Sequence, residues 1–304
     1  MCSSLKLLSQ DYGSYIVLRD AGADVEFAAF PREEEKEYDW VIINLPRQKA
    51  LLNMLLDCAA DLLAKDGVVW LAGENKAGIK SADKRLKSYF GQIRKLDNAR
   101  HCSLFEAGVR LNENIFDASN YRGQWDLNCN KTGMTVISYP GVFAHGRLDN
   151  GTALLLHALA TMELKGDVLD FACGAGIIGA CIAIHHADSK ITLLDTSALA
   201  LKACTETLDV NKVEGQVLAS NGLSEVSDIY DVVISNPPIH AGARTDTQLG
   251  LRLLESVHEH IRPGGKLILV ANIHLPYENW LSARFKRFSE LAANANYKVI
   301  VATR

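Results

Sequence analysis

The stretch Val168-Leu169-Asp170-Phe171-Ala172-Cys173-Gly174-Ala175-Gly176-Ile177-Ile178-Gly179 restricts the possible folds of this chain more than any other. Apolar residues run up to a carboxylate, small residues and glycines follow, and an apolar run continues from Ile177 to Ile184. The pattern predicts a buried strand, a tight turn and the start of a helix. Glycines let a ligand approach the main chain, and the first turn of a helix offers N–H groups with no partner inside the helix. Read alone, Gly174-x-Gly176-x-x-Gly179 also fits a dinucleotide-binding turn. Two later stretches decide between ligands: Leu193-Leu194-Asp195, and Asp231 to Ser235 followed by Asn236-Pro237-Pro238-Ile239-His240.

The organisation around that stretch is repetitive. Tyr38 to Pro46 reads as a buried strand ending in a turn, a helical period follows through Leu51, Leu52, Leu55 and Leu56, and Gly67 to Asn75 is a second strand. The same order returns about 190 residues later. Tyr230 to Pro238 answers Tyr38 to Pro46, a helix through Leu249, Leu253 and Leu254 answers the first helix, and Gly265 to Asn272 answers the second strand. Phe90 to Ala107 and Phe288 to Ala302 each suggest two closing strands. The copies are unequal: the first lacks a glycine loop, and Asn44-Leu45-Pro46 lacks the second proline. The first half is therefore expected to keep the fold and to have lost the chemistry. Residues Val109 to Asn130 are polar, without clear periodicity, and read as a linker. Beyond it, strand-like runs at 168–172, 191–194, 216–219, 231–235 and 266–271 alternate with helical ones, which predicts a parallel sheet covered on both faces.

Composition excludes several classes. No apolar run approaches the ~20 residues of a membrane span. Met1-Cys2-Ser3-Ser4-Leu5-Lys6 has no signal-peptide pattern, so a cytoplasmic protein is expected. The seven cysteines are odd in number with no C-x-x-C pair, which predicts neither a disulfide framework nor a zinc site. No metal is expected. A formal charge of −4 does not advertise nucleic-acid binding, so any RNA contact must come from local patches. The candidate patch is Lys80, Lys84, Arg85, Lys87, Arg94 and Lys95, for which a solvated surface is the equal alternative.

Asp195 ends the second strand of the later half, where a carboxylate can accept from both ribose hydroxyls; a helix cap ahead of Ser197 is the alternative. Asp170, ahead of the loop, is not required by a dehydrogenase turn. It suits a ligand carrying an ammonium group, such as the methionine end of S-adenosylmethionine. In Asn236-Pro237-Pro238, prolines fix the backbone and remove donors, so the loop presents acceptors. The Asn236 side-chain oxygen and the Pro237 carbonyl could receive both hydrogens of one planar –NH2 group and aim its lone pair at a methyl sulfonium.

With these motifs, residues 135–304 resemble class I S-adenosylmethionine-dependent methyltransferases that carry an N-P-P-aromatic motif. The whole chain more closely resembles the bacterial 16S ribosomal RNA guanine-N2 methyltransferases of the RsmC type. Pro140 to Phe143, Leu148-Asp149-x-Gly151-Thr152, Asp170 to Gly176, Ala219 to Asn221, Ser235 to His240 and Val270 to Tyr277 carry the resemblance. It implies an α/β chain of two tandem Rossmann-like methyltransferase domains with mainly parallel sheets. The first, degenerate one spans 1–110, a linker 111–134, and the catalytic domain 135–304. It also implies that Asp170, Gly174 and Gly176 hold the methionine end, with Ala172 beside them. Asp195 would hold the ribose and Asn221 the adenine region, Thr196 and Asn236 would also bind the cofactor, and Asn236, Pro237, Pro238, Ile239 and His240 would hold the guanine. Ala172 stands where the family usually has glycine, and Ile239 replaces the usual aromatic, so base stacking must be weaker or come from elsewhere.

The expected activity is methylation of a guanine N2 amine in 16S ribosomal RNA, free or in the assembled small subunit. S-adenosylmethionine would be consumed, S-adenosylhomocysteine released, and the enzyme would act as a monomer away from membranes. Alternatives are the sister enzyme of large-subunit RNA, enzymes of the same motif acting on adenine N6 or a protein glutamine, a nicotinamide dehydrogenase, and an inert RNA-binding module.

Overall fold

The computed structural model describes residues 4–32, 37–111, 115–237, 256–275 and 277–304. The chain divides into two compact units, one of residues 1–29 with 123–304 and one of 30–122.

The larger unit contains a seven-stranded sheet. Its strands in chain order are β9 (Gly166–Phe171), β10 (Ser189–Asp195), β11 (Gln216–Ala219), β12 (Tyr230–Ser235), β13 (Ile261–Asn272), β14 (Arg287–Ala293) and β15 (Tyr297–Thr303), in the spatial order β11-β10-β9-β12-β13-β15-β14. The first five are parallel and β15 runs antiparallel to both its neighbours. Helices α4 (Asn150–Leu159), α5 (Ile177–His185) and α6 (Ala198–Asn211) accompany these strands, and α7 (Glu278–Arg284) precedes β14. The parallel strands are buried runs such as Val232 to Ser235, as expected where helices cover both faces. At their starts, Arg262 donates to Asp167 at 2.8 Å and to Asp231 at 2.6 Å, stitching β9, β12 and β13. The strand order reverses on either side of β9, and in open α/β sheets the crevice beyond such a switch point holds the ligand.

The smaller unit has β3 (Tyr38–Asn44), α2 (Lys49–Leu62), β4 (Leu63–Glu74), α3 (Ala82–Leu86), β5 (Phe90–Ala99) and β6 (Cys102–Arg110), with sheet order β3-β4-β6-β5. Leu52, Leu56 and Ala59 of α2 join Ile43, Val69, Leu71 and Phe105 of the sheet in one core. This sheet repeats the β12-β13-β15-β14 half of the larger one down to its irregularities. The β3–β4 register shifts between Tyr38 and Trp40, the β12–β13 register between Tyr230 and Val232, and the closing strands shift between Lys95 and Asp97 and between Glu290 and Ala292. For its strands, the internal repeat read from the sequence is thus a repeat of pairing as well as of order; the helix expected through Leu249, Leu253 and Leu254 lies outside the described residues.

Three observations depart from the sequence reading. Residues 4–29 form β1 (Leu7–Ser9), α1 (Tyr12–Asp20) and β2 (Val25–Phe27), a small parallel βαβ lobe that belongs with residues 123–304. Gly123–Cys129 (β7) and Thr132–Ser138 (β8) pair as an antiparallel hairpin that starts in residues read as linker and ends in those read as the catalytic domain. Trp125, Leu127 and Cys129 alternate there with polar residues, a period of two that the overall polarity obscured. Finally, Cys129 of the hairpin meets Cys181 of α5, their Cα atoms 6.2 Å apart. A separation of 52 residues leaves no local spacing to betray that meeting. Nearby, His185 Nε2 donates to the Cys129 carbonyl at 2.9 Å. Among the described residues no helix is long and apolar enough to cross a membrane.

Candidate active site

A cavity of about 250 Å³ lies beyond the carboxyl ends of the central strands. Ala172 and Gly174 after β9, Asp195 and Thr196 at the end of β10, and Asn236 and Pro237 after β12 line it, so six sequence-predicted residues converge from three separate strand ends. Pro238, Ile239 and His240 lie outside the described residues.

The loop after β9 owes its shape to small residues. Gly174 has φ of +56° and nothing within 4 Å of the position a Cβ would take, so its backbone is open to a ligand. Gly176, φ +75°, starts α5, and a Cβ there would meet the Cys204 sulfur at 2.7 Å. At Gly179 a Cβ would lie 2.3 Å from Leu193, so this glycine permits close packing of α5 on β10. Ala172 holds φ of +56°, a left-handed conformation in which its methyl group is a cost.

Behind this loop Asp170 is fully buried. Its Oδ2 accepts from the Gly179 N–H at 2.9 Å, while Oδ1 has no partner. Burial pushes the carboxyl up to about 7, against the lowering influence of the Gly179 bond and with a further push from Asp195. Asp195 is also raised, chiefly by burial. Its Oδ1 accepts from the Ser197 N–H and its Oδ2 from the Gly174 N–H, both at 2.9 Å, so it ties the glycine loop to the end of β10. The cap of α6 is Ser197 itself, which accepts from the Ala200 N–H at 3.3 Å. Asn221 does not line the cavity, although Ser220 and Gly222 on either side do.

The Asn236 side chain is oriented by residues 84 and 87 positions earlier. Its Nδ2 donates to Asp149 Oδ2 at 3.1 Å and to Thr152 Oγ1 at 2.9 Å. An ionised carboxylate only accepts, so the NH2 must face Asp149 and the carbonyl oxygen must lie on the other side of the amide plane. Asp149 is fixed in turn as the N-cap of α4, accepting from the Thr152 N–H at 3.0 Å. Asp149 and Thr152 stand in a motif noted in the sequence, but the distance to Asn236 hid their role. The cavity wall also includes Phe143, 46% exposed, and the buried Tyr277. Ser235 Oγ donates to the Phe171 carbonyl at 2.8 Å, which locks the ends of β12 and β9 together.

The basic residues are in the smaller unit. Lys80 and Lys84 are exposed. Arg85 donates to Asn53 at 2.7 Å, Lys87 lies 3.7 Å from Asp83, and Arg94 pairs with Glu106. Lys95 Nζ sits 6.0 Å above the Phe105 ring.

Residues 133–301 match the methyltransferase small domain, and residues 1–125 the methyltransferase small domain N-terminal model. Among curated proteins, the chain is 36% identical over 299 residues to a ribosomal RNA small subunit methyltransferase C of Shewanella pealeana, covering 98% of this chain and 87% of that one. It is 39% identical over 270 residues to the protein of the same name in Pseudomonas entomophila, covering 89% and 80%. The fold is shared with the T. thermophilus 16S rRNA N2 G1207 methyltransferase (RsmC) in complex with AdoMet and guanosine. That match has a TM-score of 0.87 and 22% identity, and covers 99% of this chain and 82% of that one. The chain belongs to the methyltransferase small domain family, among the ribosomal RNA small subunit methyltransferases C.

Proposed function

We propose that this protein transfers a methyl group from S-adenosylmethionine to the exocyclic N2 amine of a guanine in 16S ribosomal RNA. The observation that carries the reading is the Asn236 amide, held through its NH2 by Asp149 and Thr152 on the wall of a cavity whose other walls suit the methyl donor. The naming of the curated relatives supplies the RNA.

The residues fit that donor. The unpartnered, buried Oδ1 of Asp170 asks for a cation or donor, which the ammonium of the methionine end provides. The open backbone at Gly174 leaves room beside it. The Asp195 carboxylate, taking the Gly174 and Ser197 N–H groups on separate oxygens, keeps acceptor capacity for ribose hydroxyls. Thr196, Ser220 and Gly222 would flank the adenine. When bound, S-adenosylmethionine supplies an electrophilic methyl group on a sulfonium.

The protein's own contribution is positioning. Asn236 Oδ1 and the Pro237 carbonyl accept the two hydrogens of the guanine amine and fix its nitrogen. That nitrogen is a poor nucleophile because its lone pair is delocalised into the ring. As it pyramidalises and gains positive charge, the two acceptors bind its hydrogens more strongly than in the ground state. Asp149 and Thr152 keep the acceptor face of Asn236 forward. Phe143 offers a ring face for the base, a role that Ile239 cannot fill. The exposed Lys80 and Lys84 would contribute phosphate contacts from the smaller unit.

Single-turnover methylation with both ligands saturating tests this reading. Asn236→Ala should slow the chemical step by roughly 10²-fold or more, by analogy with deleting one preorganised partner, with S-adenosylmethionine affinity little changed. Asp149→Ala should slow it by about tenfold, the cost of letting one amide turn over, and Asp149→Asn should recover most of the rate. A wild-type chemical step in Asn236→Ala would reduce Asn-Pro-Pro to a structural turn.

A further inference from the structure

The βαβ lobe of residues 4–29 makes its contacts with the rest of its unit at the rim of the cavity. Tyr12 N–H donates to the Thr196 carbonyl at 2.8 Å, Ala198 N–H donates to the Gln10 carbonyl at 2.9 Å, and Asp11 forms an antiparallel bridge with Ser197. Thr196 Oγ1 donates to Asp11 Oδ2 at 2.8 Å. The other oxygen of Asp11 accepts from the Ser14 N–H at 2.8 Å and the Ser14 hydroxyl at 2.7 Å, capping α1. One carboxylate thus joins a helix start to the residue after Asp195. Two residues on from Asp11, a Cβ at Gly13 would lie 3.1 to 3.3 Å from the three end atoms of the Asn221 side chain. The first turn of α1 therefore touches the loop after β10 and the loop after β11, the two that border one end of the cavity.

We propose that Asp11 and Gly13 are positioning residues for the adenosine end of S-adenosylmethionine, an inference that rests on the methyl-donor reading of the cavity. Asp11 holds Thr196, and with it the strand end that carries Asp195. Gly13, by lacking a side chain, lets α1 approach until Asn221 is confined between the helix and its own loop. The negative charge of Asp11 is also felt at Asp195, whose carboxyl it helps to raise after the larger effect of burial.

The architecture of the lobe favours this role over core packing. α1 has no buried residue, so it adds little to a hydrophobic core. Its internal order comes from Tyr12 edge-on to Phe27 at 5.2 Å, Tyr15 against Phe27 at 5.8 Å, and the buried Ser9, whose hydroxyl donates to the Asp11 carbonyl at 2.7 Å. What the lobe presents outward from that frame is the Gln10–Gly13 edge. A segment at the start of the chain thereby completes a wall built from residues 195–221.

The test is calorimetric titration of the full-length protein with S-adenosylhomocysteine, alongside thermal unfolding of each variant. Asp11→Ala should weaken binding by roughly tenfold, the scale of one charge-assisted hydrogen bond. Asp11→Asn should bind within about twofold of wild type, because its oxygen can still cap α1 while its NH2 donates to Thr196 Oγ1. Gly13→Ala should weaken binding by a few-fold without lowering the melting temperature, since alanine suits a helix better than glycine. It decides the matter if Asp11→Ala does not fold. Asp195→Ala serves as the control for the cavity. If wild type takes up no S-adenosylhomocysteine, the methyl-donor reading falls and this inference with it. If wild type binds and Asp195→Ala is impaired, but Asp11→Ala and Gly13→Ala bind normally, the reading stands and the inference is overturned. A lower melting temperature with unchanged affinity would likewise make the lobe merely structural.

Discussion

Asp170→Asn removes a carboxyl whose burial raises it from the ordinary 3.8 to about 7, and the consequences can be worked out before any assay. In the free protein at pH 7 the group is about half ionised. An ammonium placed at its unpartnered Oδ1 favours the carboxylate, so ligand binding must expel the proton. With the carboxyl fully ionised in the complex, the release is about 0.9 proton at pH 6, about 0.5 at pH 7 and about 0.1 at pH 8. Calorimetry of S-adenosylhomocysteine binding in buffers of different ionisation enthalpy reads that number directly. In Asp170→Asn the release should vanish. Affinity should drop by roughly 10- to 100-fold, because the amide oxygen must take the Gly179 N–H and its NH2 then opposes the ammonium. Stability carries the same signature. The folded group is raised, so the native state holds the extra proton between pH 3.8 and about 7. Stability of the ligand-free protein is therefore full below that window and falls as pH rises through it, by up to about 4 kcal/mol before relaxation reduces the penalty. The asparagine variant should show a flatter profile. Proton release that stays at zero from pH 6 to 8 in wild type would refute the reasoning.

Three further outcomes follow from particular side chains. Phe143→Ala should raise the KM for RNA by about 5- to 160-fold with S-adenosylhomocysteine affinity unchanged, since one base–aromatic stack is worth about 1–3 kcal/mol; steady-state kinetics with RNA varied checks it. Ala172→Gly should raise the unfolding free energy by about 0.5–1 kcal/mol, because relief of the left-handed strain outweighs the entropy glycine adds to the unfolded chain; denaturant titration measures it. Lys80→Glu with Lys84→Glu should weaken RNA binding and reduce the slope of log affinity against log salt by about 2, one for each phosphate no longer neutralised. Cofactor affinity should stay put in that double variant, and an unchanged slope would return both lysines to a solvated surface.

Much of this architecture could be read in the sequence, and the reason is locality. Strand, small-residue turn and helix start at Val168–Gly179 are adjacent in the chain, so side-chain pattern and conformation specify each other there. The repeat was legible because the order of strand, helix and strand survives even where the chemistry of Asn44-Leu45-Pro46 differs from Asn236-Pro237-Pro238. What stayed hidden depends on distance. Asp149 and Asn236 are 87 residues apart and Asp11 and Thr196 are 185 apart, and no local periodicity encodes either meeting. The Cys129–Cys181 contact brings a hairpin to a helix across 52 residues and stayed hidden for the same reason. The hairpin strand Gly123–Cys129 was obscured differently, since its alternation passes through four polar or small residues. Asp195 shows a third limit. Either a ribose acceptor or a helix cap fitted the sequence, and in the fold Asp195 lines the cavity while its carboxylate takes the Ser197 N–H and Ser197 itself caps α6.

The most direct measurement incubates the protein with methyl-labelled S-adenosylmethionine and, separately, 16S ribosomal RNA, assembled small subunits and large subunits. Nuclease digestion and mass spectrometry then identify the labelled nucleoside and its position. One N2-methylguanosine at a single site in small-subunit RNA, absent with Asn236→Ala, is the predicted result. Label on adenine N6, on large-subunit RNA or on protein would contradict the guanine-N2 assignment, and no transfer to any of the three would contradict the proposed methyl transfer itself.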